Sequence, residues 1–221
     1  MCFSAEASFA AGTILLGIGT ISMYKAVATP QKVLACIPLL FSFQQFDEGI
    51  LWLTFSNSAY MQWQQIAIHV FLLFAQVVWP ILVPFSILLI EKDAVRKKIL
   101  RMILAIGVML SVYLLYCLFT FNLTAVVSGH HIRYDFLYPY TNRWYSGLLY
   151  FIPTVVSPLV SGNKKMRMIG LIVFLAFGIS KFFFGEYLIS IWCYFAATIS
   201  VIVLIVIMDL EKEEIKTFHL R

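Results

Sequence analysis

The chain has 221 residues, of which 62% are hydrophobic and 12% charged; its mean hydropathy is +0.90, and apolar runs of about 20 residues, the length that crosses hydrocarbon, recur along it. A water-soluble globular domain is excluded. The excess of 16 Lys and Arg over 11 Asp and Glu sits in short clusters between apolar runs, so it reads as a topology signal and not as a nucleic-acid footprint.

Apolar stretches bounded by charge, Pro, Gly or Asn predict an all-α, polytopic membrane domain of seven transmembrane helices. The spans fall at about 8–24, 32–55, 65–90, 99–121, 145–160, 168–184 and 188–208, followed by a short charged tail at 209–221. Before the first span, Cys2 becomes the mature first residue if the initiator Met is trimmed. Its amine and thiol together then offer a nucleophile with its own base, or an N,S metal ligand. The first residues lack a basic n-region, so span one is expected to serve as its own insertion signal. That span carries Ser8, Gly12 and Gly19 along one stripe, with Gly17 nearby, which predicts a close helix-packing seam.

Span two contains Ser42-Phe43-Gln44-Gln45-Phe46-Asp47-Glu48-Gly49. Gln44 and Gln45 fall one turn before Glu48, so an amide and the acid share a face with Trp52. Span three places Gln65, His69 and Gln76 on one face, with Trp79-Pro80 a turn deeper and Pro84 beyond. After span four, the segment SGHHIRYDFLYPYTNRW at 128–144 reads as an interfacial loop with an aromatic belt, or as a lid in which His130 or His131 supplies a ligand or acid–base group. Span five holds Pro153 and Pro158. Span six carries Lys181 among Phe residues, and Glu186 follows near its end.

The basic clusters Lys25/Lys32, Lys92 to Arg101, Lys164 to Arg167 and Lys212 to Arg221 all fall on one side of seven spans; the other side receives Arg133 and Arg143. By the positive-inside rule the N-terminus is outside and the C-terminus cytoplasmic. In that frame Asp47, Glu48, His69, Lys181 and Glu186 share the outer half, Glu48 lying about 24 Å of helical rise beyond Lys32. Intramembrane ionisable groups are costly and commonly mark a site. One polar cavity opening outward, with Gln45, Asp47, Glu48, His69, Lys181 and Glu186 as ligand contacts, is the economical expectation; a buried network in which Lys181 pairs with Asp47 or Glu48 is the bland one. Cys2, Glu48, His69, His130 and His131 are the candidate metal ligands, although no CxxC or zinc spacing appears. Cys36, Cys117 and Cys193 are isolated and read as buried thiols, with a disulfide from Cys2 to Cys117 or Cys193 as the alternative. Asn122-Leu123-Thr124 matches a glycosylation acceptor but sits at a helix end.

The opening Met1-Cys2-Phe3-Ser4-Ala5-Glu6-Ala7-Ser8-Phe9, followed by Gly12, resembles the start of a family of small bacterial multi-pass membrane proteins of unknown function. Pro38-Leu39, Gln44-Gln45, Glu48-Gly49, Trp52, Trp79-Pro80, Pro84 and Glu91 extend the resemblance, which is carried by the first three spans. It implies Cys2, Ser4, Gln45, Glu48, Trp52, Trp79 and Pro80 as motif positions and implies no activity. Retinal proteins fit less well because a full span follows Lys181, ceramidase-type hydrolases because His69 is the one histidine within a span, and small sugar transporters because spans one to three and five to seven show no repeat.

The expected function is binding or transport of a small polar or ionic ligand by a multi-pass protein of the bacterial inner membrane. The alternatives are an outer-leaflet enzyme acting on a lipid-like or amide substrate through Cys2 or a metal, and a structural or accessory role. The sequence names no cofactor, and the lipid bilayer is the one partner it implies directly.

Overall fold

The computed structural model describes residues 4–139, 144–183 and 187–219. Helices occupy all seven predicted segments. The first is α1 (Ala5–Lys25), opened by Ser4, whose hydroxyl accepts from the Ala7 N–H at 3.2 Å. The second is broken into α2 (Thr29–Ala35) and α3 (Ile37–Ser56). Pro38, in the first turn of α3, has no N–H for the Leu34 carbonyl, so the helix cannot run through Cys36 unbroken. The third runs from a 3₁₀ turn (Ser58–Trp63) through α4 (Gln64–Leu72) and a π-helical turn (Leu73–Val78) into α5 (Trp79–Ile90). The fourth is α6 (Ala94–Thr120), capped by Asp93 accepting from the Arg96 N–H at 2.8 Å. The fifth comprises α7 (Trp144–Phe151), a second π turn (Ile152–Val156) and α8 (Ser157–Val160). The last two are α9 (Lys164–Phe183) and α10 (Leu188–His219), the latter carrying the predicted charged tail on as helix.

Among the described residues, five helical stretches are long and apolar enough to cross a membrane: Ala5–Lys25, Ser58–Ile90, Ala94–Thr120, Lys164–Phe183 and Leu188–Lys212. The α3 segment falls outside that set because its amides and acids dilute its apolarity, and Gly147–Val160 because it is short. Large apolar side chains such as Ile14, Met102, Met109, Phe119, Leu171 and Phe182 stand exposed on α1, α6 and α9, as they would against lipid.

One feature departs from the helical expectation. The segment read as a polar loop is a β-hairpin, β1 (Leu123–Ser128) paired antiparallel with β2 (His131–Phe136) through the two-residue turn Gly129-His130. Gly129 supplies the positive φ, +62°, that such a turn needs. Alternation sends Leu123, Ala125, Ile132 and Tyr134 inward. Tyr134 stacks on Phe71 of α4 at 4.9 Å, and Tyr187 donates to the Ser128 hydroxyl at 2.9 Å. The hairpin thus closes one end of the bundle over a core with Leu51, Ile68, Leu118 and Cys193.

The other end gathers the basic clusters. Lys25 pairs with Glu211 at 3.3 Å, and Lys165 pairs with Asp209. Glu91, just beyond α5, accepts from Lys92 N (2.9 Å), Asp93 N (3.1 Å) and Gly162 N (2.6 Å), pinning the turn before α6 to the one before α9.

The predicted seam on α1 packs against α3. A Cβ on Gly19 would stand 2.6 Å from Leu39 Cγ and 2.7 Å from its backbone nitrogen; one on Gly12 would meet the Phe46 ring at 3.0 Å; Gly17 faces open space. Ser42 adds a hydrogen bond to the Gly12 carbonyl at 2.8 Å. A tighter approach lies at Gly107 of α6, where a Cβ would come within 2.0 Å of the Pro80 carbonyl oxygen and 3.2 Å of Pro153. Pro84, four residues on, has no N–H to give that carbonyl its α-helical hydrogen bond.

Gly19→Ala and Gly107→Ala are each expected to cost about 1–3 kcal/mol by overpacking, whereas Gly17→Ala is expected to be neutral within about 0.5 kcal/mol; thermal unfolding of the purified protein in detergent measures this, and equal losses at all three positions would contradict the seam. Burial opposes ionisation of Glu91, but the N–H groups of Gly162, Asp93 and Lys92 and the Arg96 charge outweigh it and hold the carboxyl below the usual range. Its stabilisation is therefore present above the unfolded value of about 4.3 and is lost as pH falls through the lower folded value. Glu91→Gln should lower the unfolding temperature at neutral pH and flatten its decline in acid, and superimposable acid profiles of variant and wild type would refute the clamp.

Candidate functional site

The polar residues of α3 are buried inside the bundle. Ser42, Gln44, Gln45 and Glu48 are all fully inaccessible. Glu48 is held from two sides: Ser190 of α10 donates to Oε1 at 2.8 Å and Gln45 donates to Oε2 at 3.3 Å. Gln44 faces α5, where the Trp79 indole donates to its Oε1 at 2.9 Å and stacks on Phe41 with centroids 3.9 Å apart. An indole N–H can only donate, so this bond fixes which end of the amide is oxygen. The Gln44 amide nitrogen is thereby turned away from Trp79, and Cys193, one helical turn after Ser190, lies beside Gln44 and Glu48.

The centre is not fully satisfied. Gln45 Oε1 is buried with no hydrogen-bond partner among the described residues, and so are Trp52 Nε1, one turn after Glu48, and Asp47 Oδ2, while the Gln44 amide meets the Cys193 thiol. Each such group costs about 1–3 kcal/mol. An acceptor thus stays open on Gln45 one turn before a buried carboxyl group.

The other expected contacts lie elsewhere. His69 turns back on its own helix, its Nδ1 2.7 Å from the Gln65 carbonyl oxygen, with its ring against Phe119. Gln65 donates to the Leu123 carbonyl at 3.2 Å, and Gln76 accepts from the Tyr138 hydroxyl at 3.2 Å. The polar stripe of span three thus anchors the hairpin and the strand end instead of lining a cavity with Glu48. Lys181 is exposed, its ammonium 6.0 Å above the Phe177 ring, and makes no ion pair among the described residues. Neither Asp47 nor Glu48 is its partner, because α9 turns that face outward. Cys2 and Glu186 lie outside the described residues.

The histidines of the hairpin separate. His130 sits exposed in the turn, while His131 packs its ring 4.9 Å from Tyr187. Burial, with the neighbouring His130, keeps the His131 imidazole below its usual range. Among the described residues no three His, Cys, Asp or Glu side chains are grouped so as to hold a metal ion. Cys36, Cys117 and Cys193 are free thiols.

Gln44 and Gln45, read from the sequence as lying one turn before Glu48, are buried with it; Trp79, read on the His69 face, reaches Gln44 instead, and Ser190 and Cys193 were not read as neighbours of Glu48. The available signal was Ser190-Ile191-Trp192-Cys193, two small polar side chains one turn apart in the first turns of α10.

A family model described as a family of unknown function, DUF6629, matches residues 1–216. The match therefore extends well past the first three predicted spans. No curated protein and no solved structure matches the chain.

Proposed function

Because the chain belongs to DUF6629, a family whose function is not established, we propose from its geometry that it is an integral membrane protein whose intramembrane centre at Glu48 binds or transports a small polar or ionic ligand. The observation that carries this reading is Gln45 Oε1, an acceptor fully buried one turn before Glu48 and without a partner among the described residues. A purely structural network would be expected to close on itself, since a half-satisfied one is worse than an apolar core.

In this reading all seven helical segments cross the cell membrane, α3 crossing by virtue of packing its acids and amides against α1, α5 and α10. The basic end faces the cytoplasm and the hairpin end faces outward. The hairpin then acts as a lid over the polar centre, hinged on the segments that flank it, and ligand entry requires it to lift. The π turns at Leu73–Val78 and Ile152–Val156 mark the helices best suited to shift, since π turns recur at functional sites.

The test uses purified protein and a panel of probes: sodium, ammonium, guanidinium, small amines, amino acids and sugars. At least one is expected to raise the unfolding temperature saturably, by about 2.7 kcal/mol of stabilisation at a hundred times its dissociation constant. Glu48→Gln and Gln45→Leu are expected to abolish that shift while leaving the helical circular dichroism unchanged. A panel that stabilises wild type and both variants equally, or stabilises none, would defeat the reading.

A further inference from the structure

The atoms around Glu48 restrict what can bind there. Of those without a partner among the described residues, two are oxygens, Gln45 Oε1 and Asp47 Oδ2, and one is a donor, Trp52 Nε1. Gln45, Glu48 and Ser190 are each fully inaccessible, and no described Lys or Arg is buried. Carboxylate and amide oxygens are ligands of hard cations, whereas transition metals favour imidazole and thiolate. Among the described residues no three His, Cys, Asp or Glu side chains are grouped to hold such a metal. Asp47 lies about 100° round α3 from Glu48, so one carboxylate and one amide share the spot. That donor set matches a single positive charge better than two.

The spacing adds a size. Gln45 Nε2 stands 3.3 Å from Glu48 Oε2. The amide oxygen and nitrogen share one carbon, which puts the open Oε1 within about 6 Å of the same carboxylate oxygen. The last torsion of Gln is broad and roughly two-fold, so a half-turn of the amide sets its oxygen where the nitrogen is. Two oxygens 3.3 Å apart then face each other, and a cation between them turns their repulsion into attraction. An ion bonded to both at about 2.4 Å, the distance that sodium shares with the similarly sized calcium, subtends about 90° between them, as neighbouring ligands of an octahedron do. The larger potassium and ammonium ions close that angle and fit less well. Ser190 donates to the other carboxylate oxygen, Oε1, at 2.8 Å, which keeps Oε2 for Gln45 and makes Ser190 a positioning residue.

Resting on the reading of Glu48 as a ligand centre, we propose that this centre is a sodium site, with the ion bound between Glu48 Oε2 and Gln45 Oε1 and the Gln45 amide turned to present its oxygen. The ion replaces a neutral N–H donor by a full charge and so neutralises the carboxylate inside the bundle. It also gives the open Gln45 oxygen the partner it lacks among the described residues.

The experiment follows the unfolding temperature of the purified full chain in detergent, at fixed pH, with ionic strength held constant by choline chloride. Sodium is expected to raise it saturably, and potassium, ammonium and calcium to need at least about tenfold higher concentrations for the same shift. Gln45→Leu is expected to abolish the sodium shift. Should that variant lose its helical circular dichroism, Gln45→Asn, one carbon shorter, is expected to weaken sodium by at least about tenfold. Ser190→Ala keeps both ligand oxygens and is expected to weaken sodium while retaining the preference over potassium. Equal shifts by sodium and potassium, a sodium shift unchanged in a folded Gln45 variant, or stabilisation by calcium alone overturns the proposal. A shift by an amine, amino acid or sugar that Glu48→Gln abolishes, with none from sodium, overturns it and leaves the polar centre standing. No shift from any probe defeats both.

Discussion

Every polar group carried into hydrocarbon must find its partner inside the protein, and this constraint organises the bundle. Prolines at 38, 80, 84, 153 and 158 each withdraw a backbone donor, and neighbouring helices answer at the places where the ladder is disturbed. Ser111 of α6 donates to the Val77 carbonyl at 2.8 Å, Tyr150 of α7 donates to the Ala75 carbonyl, and Gly107 allows α6 to close on the Pro80 carbonyl. These repairs cross between helices, so the irregular segments are also where the bundle is tied together. Substituting Gly107 would strain two proline segments at once, because Pro80 and Pro153 both approach it.

The same geometry builds the polar centre. A π turn inserts extra backbone into the helix and rotates whatever follows it. Trp79 is the first residue after such a turn, and its indole reaches both the Phe41 ring and the Gln44 amide. That bond orients Gln44, and the orientation leaves its nitrogen on the side of α10, where Ser190 and Cys193 lie. Gln45 Oε1 stays open beside Glu48, while Ser8 Oγ, Ser180 Oγ and Trp192 Nε1 are open elsewhere among the described residues.

Much of the architecture was readable from the sequence because bilayer thickness converts directly into run length. The apolar segments, the small-residue seam of α1 and the sorting of basic residues to one end all follow from one-dimensional patterns. Azimuth does not. Depth put Glu48, His69 and Lys181 in one half of the membrane, but which way each points depends on helix rotation, and the π turn between His69 and Trp79 changes the register that simple 3.6-residue counting assumes. His69 was expected beside the acids and turns back on its own helix instead, while Gln65 and Gln76 on the same predicted face serve the hairpin and the strand end. The hairpin itself was visible as alternation in Leu123-Thr-Ala-Val-Val-Ser and His131-Ile-Arg-Tyr-Asp-Phe around Gly129, and its histidines and tyrosines drew the reading toward an irregular lid. Neither could run length reveal the break at Cys36, which leaves the hydrophobic pattern intact while ending the helix.

The account's central claim is that Glu48 is held by hydrogen bonds from Ser190 and Gln45 across α3 and α10, and not by the Lys181 charge that depth alone would have paired with it. Double-mutant cycles on unfolding free energy measure this directly. The account predicts a coupling of about 1 kcal/mol or more between Glu48→Gln and Ser190→Ala, with additivity between Glu48→Gln and Lys181→Gln. Strong coupling to Lys181 together with additivity at Ser190 would contradict it.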